Sequence, residues 1–208
     1  MGHEEDRDLL HTAVSMLDRG HIDTAVSILE GLRSRMPNEP VIPGCLGMAA
    51  LSRGAYARAE QLLNVALELN PSFYPALLNK GILLVNLGDC EGAIALYDRA
   101  LEINPRYAEA YSNRANARAL LGDMEEALAD YRRALELKPG FADAHYNLAY
   151  TKHRMGSTDE AMEELERAVI LHPAHRLAWQ LKLSIHLERG EHGDAEACRA
   201  QLQKLGQP

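Results

Sequence analysis

A chain of 208 residues with 47% apolar but only 5% aromatic side chains must build its core from leucine and alanine, which suits closely packed helices and gives a sheet little support. Its net charge of -8 is spread along the chain, Lys and Arg interleaved with Asp and Glu, so no basic stripe is offered to nucleic acid. The opening MGHEEDRD is charged and no window is long and apolar enough to span a membrane, so a soluble, cytoplasmic protein without membrane insertion is expected.

Taken in order, a short N-terminal tail (1–5) is followed by one unit written six times: 6–39, 40–73, 74–107, 108–141, 142–175 and 176–208. Pro37, Pro71, Pro105, Pro139 and Pro173 each fall 34 residues after the last, and Gly20, Gly54, Gly88, Gly122, Gly156 and Gly190 keep the same step. So do Ala25, Ala59, Ala93, Ala127, Ala161 and Ala195. A fixed period of this length marks a repeat architecture. In each unit the glycine ends a first helix by turning left-handed, the alanine lets the second helix approach the first, and the proline stops the second helix. Asp89, Asp123 and Ser157 stand where an N-cap is wanted, and Glu126 and Glu160 follow the latter two at capping-box spacing.

The pattern resembles the tetratricopeptide repeat over nearly the whole chain. The family's small residue at position 8 stands as Ala13, Gly47, Gly81, Ala115 and Ala149, and its second small residue, at position 27, as Ala66, Ala100, Ala134 and Ala168. Its position 4 tryptophan survives as Trp179, with Tyr111 the nearest substitute elsewhere. The resemblance implies an all-α fold, a solenoid of about twelve antiparallel helices forming one array over 6–208.

The end repeats depart from the pattern. Repeat one carries Leu32 at position 27, and repeat six carries Leu183 at position 8. The last helix keeps Ala195, Cys198, Leu202 and Leu205 on one stripe and Glu196, Arg199 and Gln203 on the other, as expected of a C-terminal cap. In repeat two, Pro40 and Pro43 fall at the start of the first helix and are expected to shorten it.

At 100° per residue, positions 4, 7, 8 and 11 of a first helix face its partner, which turns positions 2, 5, 6, 9 and 12 the other way. In the tetratricopeptide family these coat the concave groove, so the resemblance implies a peptide-binding groove lined by Leu78, Asn79 and Ile82, by Ser112, Asn113 and Asn116, and by Tyr146, Asn147 and Tyr150. Asn79, Asn113 and Asn147 share position 6, and an amide can bond both the N–H and the C=O of a peptide. This looks like the asparagine ladder of protein O-GlcNAc transferases, against the alternative of asparagines that merely sit in water. Tyr146 and Tyr150, one turn apart, are either ligand anchors or a cover for the neighbouring helix.

Other chemistry finds little support. AYSNRA resembles part of the clamp that holds chaperone C-terminal carboxylates, but Leu78, Ile82, Asp143 and Asn147 stand where that clamp wants Lys, Asn and basic residues. His145, His153, His172 and His175 lack a ligand set, and Cys45, Cys90 and Cys198 have no CxxC spacing. No metal, cofactor or catalytic residue is expected. The sequence reads as a non-catalytic scaffold, an adaptor or co-chaperone-like protein whose groove takes a peptide segment or partner protein. Two alternatives stay open: the substrate-recruiting arm of a larger enzyme such as a glycosyltransferase, and a homo-oligomeric, self-assembling scaffold.

Overall fold

The computed structural model describes residues 2–206, with side chains from residue 4 onward, and every regular element among them is a helix. In order these are α1 (Gly2–Asp18), α2 (Ile22–Arg33), α3 (Val41–Ser52), α4 (Tyr56–Leu69), α5 (Tyr74–Asn86), α6 (Cys90–Ile103), α7 (Ala108–Leu121), α8 (Met124–Leu137), α9 (Ala142–Arg154), α10 (Thr158–Leu171), α11 (Arg176–Glu188) and α12 (His192–Leu205). The all-α, twelve-helix expectation is met. They fall into two compact units, residues 1–105 with α1 to α6 and residues 106–208 with α7 to α12. Residues 2–5, expected as a tail, instead continue α1, with Glu4 and Glu5 in its first turn, where carboxylates complement the helix dipole.

Each repeat is an antiparallel helix pair, and within a unit the first helices of successive repeats also touch: α1 on α3, α3 on α5, α7 on α9, α9 on α11. The turn inside the pair is made the same way six times. The periodic glycines hold φ between +71° and +98°, and the residue after each returns its N–H to the carbonyl five residues back, as His21 does to Met16 at 2.9 Å and Asp123 to Arg118 at 2.9 Å. That closure requires a left-handed residue, which is why glycine recurs there.

The expected side-chain caps are mostly absent. Asp89 accepts from the Gly92 N–H at 2.8 Å, but Asp123 and Ser157 cap nothing. The reciprocal half of the capping box has no work to do, because the Asp123 N–H that Glu126 would reach is already held by the Arg118 carbonyl at 2.9 Å. Ala55 occupies the same cap position with nearly the same backbone angles, so the turn does not depend on a capping side chain. At the other end, Asn70, Asn104, Lys138 and His172 each precede a proline and leave helical angles, with ψ between 80° and 98°, as the clash with the proline ring demands. Pro40 is the N-cap of α3, which starts one position later in its repeat than α5, α7, α9 and α11, so the expected shortening is small.

The small residues sit where the helices are closest. Ala25, Ala59, Ala93, Ala127, Ala161 and Ala195 are all 0% exposed, as are Ala66, Ala100, Ala134 and Ala168. Where position 8 is glycine, the partner has grown into the space: a Cβ on Gly81 would meet Tyr97 Cε1 at 2.4 Å, and one on Gly47 would meet Leu63 Cγ at 2.8 Å. In the last helix Ala195 and Cys198 are buried, Leu202 and Leu205 half-buried, and Glu196, Arg199 and Gln203 exposed.

Because Ala127 has no free surface, Ala127→Leu should overpack its helix pair and destabilise the chain by about 1–3 kcal/mol. Arg133 is exposed and pairs with Glu136 along its own helix at 2.7 Å, so Arg133→Ala should leave thermal unfolding unchanged. Paired melting curves check both, and equal shifts would contradict the assignment of helix faces.

Candidate peptide-binding hollows of the second unit

Of the nine predicted groove residues, three belong to the first unit: Leu78 is buried there, and Asn79 and Ile82 are half-buried on α5. The other six lie in the second unit and surround two adjoining hollows. One, of about 230 Å³, is lined by Asn116, Tyr146, Asn147 and Tyr150 together with Ala119, Leu120, Tyr131, Thr151 and Arg154. The other, of about 330 Å³, is lined by Ser112, Asn113, Asn116, Tyr146 and Asn147 together with Phe141, Asp143, His175 and Leu177. Asn116, Tyr146 and Asn147 border both. The volumes sit at or below the lower end of small-molecule pockets, roughly 300–1,000 Å³, and match single peptide side chains better than a cofactor.

The groove positions are not equivalent. Ser112, at position 5, is only 3% exposed, because α7 and α9 rest against each other and turn this position into a floor. Position 6 forms the rim, Asn113 and Asn147 being half-buried. Asn113 spends one amide N–H on the Glu109 carbonyl of its own helix at 2.8 Å, which leaves its carbonyl oxygen and a second N–H. Asn116 accepts from the Tyr131 hydroxyl at 2.6 Å, and burial pushes that phenol up to about 12, so it stays a donor.

Tyr146 and Tyr150 differ in their surroundings. Tyr146 is half-buried, packs against the core of repeats five and six, and sits 5.0 Å, centroid to centroid, from the His175 ring. Burial raises its phenol, with Tyr150 adding to the effect. Tyr150, 6.4 Å away, is 46% exposed. Sequence reasoning missed His175, Phe141 and Arg154 as lining residues, since they lie outside the five positions counted on each first helix. It also found no carboxylates beside the histidines, yet the fold supplies them from neighbouring helices: Glu164 to His145 at 2.7 Å, Glu188 to His153 at 3.6 Å, and Asp143 to His175 at 3.1 Å.

Among the described residues one set of three has metal-ligand character, His186, Glu191 and Asp194, with ligand atoms within 4.8 Å of one another. His186 Nδ1 already makes a 2.6 Å hydrogen bond to Glu191, and the equivalent places in repeat five hold an ordinary ion pair, Lys152 with Glu160 at 3.2 Å. The set reads as a link across the turn. No helix among the described residues is long and apolar enough to cross a membrane.

Two family models described as tetratricopeptide repeat match the chain, over residues 78–142 and 118–185. No curated protein matches it. Among solved structures, a thermophilic tetratricopeptide protein of Thermus thermophilus is 23% identical with a TM-score of 0.77 over 88% of this chain and 99% of that one. PilW, described as a widely conserved type IV pilus biogenesis factor, is 21% identical with a TM-score of 0.80 over 96% and 92%. YrrB, described as a TPR protein with an unusual peptide-binding site, is 24% identical with a TM-score of 0.57 over 84% and 90%. At these identities the likeness is one of fold.

Two ionic clusters, each around a buried carboxylate, tie the helix pairs of repeats four and five. Asp130 of α8 is 4% exposed and takes Arg114 at 2.6 Å and Arg118 at 2.6 Å, both from α7. Glu164 of α10 is 5% exposed and meets His145 at 2.7 Å, Lys152 at 3.3 Å and Arg167 at 3.0 Å. Burial alone would raise the Glu164 carboxyl, but the His145 hydrogen bond and the Lys152 and Arg167 charges outweigh it and hold it at about 2. A carboxyl depressed in the folded chain from an ordinary 4.5 adds stability that is present above the ordinary value and lost as pH falls toward the folded one. The melting temperature should therefore drop between about pH 4.5 and pH 2. The drop should be shallower in Glu164→Gln, which starts lower at neutral pH because it leaves cations unpaired.

Proposed function

The chain belongs to the tetratricopeptide repeat family, and from that premise we propose that it is a non-catalytic scaffold whose second unit binds an extended peptide segment or partner-protein loop in the hollows along α7 and α9. The observation that carries the reading is the border the two hollows share, where the Tyr146 ring, the Asn147 amide and Asn116 offer an apolar face beside hydrogen-bonding groups. One side chain of a ligand would rest among Tyr146, Tyr150, Ala119 and Leu120. Its neighbouring peptide group would be held by Asn113 or Asn147, each half-buried on the rim. Leu78, Asn79 and Ile82 hold the equivalent positions on α5 of the first unit and are proposed as a further contact surface there. The reading agrees with the peptide-binding site in YrrB's description, taken here as support by analogy. Residues 6–208 are proposed to act as a single binding array.

The test is selection of a displayed library of random peptides on the whole chain, followed by titration of the retained peptides against variants. Asn113→Ala should weaken binding by about 0.5–1.5 kcal/mol, the worth of an ordinary neutral hydrogen bond, with melting little changed. Tyr146→Ala should alter which peptides are retained, since it removes the wall between the hollows. Retention of the same peptides, with the same affinity, by the chain carrying both changes would refute the proposed site.

A further inference from the structure

The two hollows lie end to end along α7 and α9, since the α9 residues that line them run from Asp143 in the larger to Arg154 in the smaller, with Tyr146 and Asn147 shared. Each is lined by a single Asp, Glu, Lys or Arg, and the two have opposite sign. Both are open to solvent. The Asp143 side chain is 71% exposed, although one of its oxygens lies 3.1 Å from His175 Nε2. Arg154 is exposed as well. Its Nη1 reaches the Ala119 carbonyl at 3.4 Å, and among the described residues it has no carboxylate partner. Arg114, Arg118 and Lys152 of the same two helices are each paired with one. An acid in the first turn of α9 and a base in its last suit the helix dipole, but the dipole does not choose the face they occupy. They share the stripe of Tyr146, Asn147 and Tyr150, and so stand at either end of the apolar wall between the hollows.

We propose that Asp143 and Arg154 select the charge pattern of the bound segment: a basic side chain at Asp143, an acidic one at Arg154, and an apolar side chain between them against Tyr146. The proposal rests on the groove reading above and adds the chemistry of the partner. The two residues are eleven positions apart, about 16 Å along the helix axis at roughly 1.5 Å per residue. Extended chain covers about 13–14 Å in four residues, at about 3.3–3.6 Å each, and the ligand's own side chains span the rest. Every second side chain of an extended segment faces the same way, so residues i, i+2 and i+4 all face the hollows. The occupant is therefore a segment of a partner protein with one base and one acid four residues apart and an apolar residue midway. A segment of like charges meets its own sign at one end. Exposed charges of this kind set discrimination and orientation more than affinity.

The test uses four displayed libraries of seven-residue peptides, each random except at its second and sixth positions, which are Lys and Glu, Glu and Lys, Lys twice or Glu twice. Passed over the whole chain, one of the two mixed libraries should be retained above both like-charged ones. The margin should be about one-and-a-half- to fivefold per charge, the range of exposed ion pairs. Asp143→Lys should turn the preference to the library with Glu twice, and Arg154→Glu to the one with Lys twice. The chain carrying both changes should prefer the opposite mixed order, a reversal that a dipole or packing role would not produce. Melting curves separate lost folding from changed selection, and the comparison on the parent chain decides even where a variant misfolds. Equal retention of the four libraries, or folded variants that keep the parent's order of preference, would overturn the assignment. If retained peptides depend on Tyr146 but not on these charges, only this inference fails. If they depend on neither, the groove reading fails with it.

Discussion

The fold depends on the close approach of the two helices of a repeat, which in repeats one to five rests on side chains no larger than a methyl group on both helices. The contact is made by alanines from both helices with no exposed surface, Ala115 and Ala127 in repeat four, Ala149 and Ala161 in repeat five. Interiors at crystal-like density leave no slack for an added methylene. The compensations show the constraint at work: where the first helix shrinks to Gly81, the second supplies Tyr97, fully buried over it. The left-handed glycine after each first helix and the proline after each second then set the length of the hairpin, and the 34-residue period is the result.

That constraint decides where charge can go. With positions 8 and 20 committed to small residues, positions 7 and 11 flank the contact, and in the second unit several of them are basic: Arg114, Arg118, Lys152 and Lys182. Each reaches a carboxylate on a second helix, Asp130, Glu164 or Glu166. Removing one partner of such a pair strands the other, so a single truncation costs more than the intact link contributes. Their consequence for the groove is indirect. They draw Arg114, Arg118 and Lys152 toward the second helices and leave the hollows lined by amides, phenols and one imidazole beside Asp143 and Arg154.

The period made the helices, their turns and their closest contacts legible in the sequence, since each glycine, alanine and proline answers to one backbone or packing demand. The groove was legible only in outline. Helical geometry separates faces but cannot say which of two groove-facing positions is pressed under a neighbouring helix, and so it did not show that Ser112, which lines the larger hollow, is almost fully buried there. His175 escaped because it belongs to the connection between repeats, outside any helix face, and reaches the hollow by capping α11. The capping boxes failed for another reason: Asp123 and Glu126 have the right spacing, but the Asp123 N–H that Glu126 would serve is already taken by the Arg118 carbonyl.

The polar groups of the hollows are largely committed to the protein itself, and this sets how binding energy is divided. Asn113 has one donor tied to its own helix and Asn116 has its oxygen tied to Tyr131. What remains is a few single donors and acceptors, each worth about 1 kcal/mol net, against a cost of association that exceeds their sum. The surplus has to come from apolar contact. A ligand side chain that hides about 100 Å² of apolar surface against Tyr146, Tyr150 and Leu120 contributes about 2.5 kcal/mol at the usual 25 cal/mol per Å². Because Tyr146 is already braced by the core and by His175, little side-chain entropy is lost in using it. In the proposed binding mode the tyrosines would therefore determine whether a segment is held, and the amides its register.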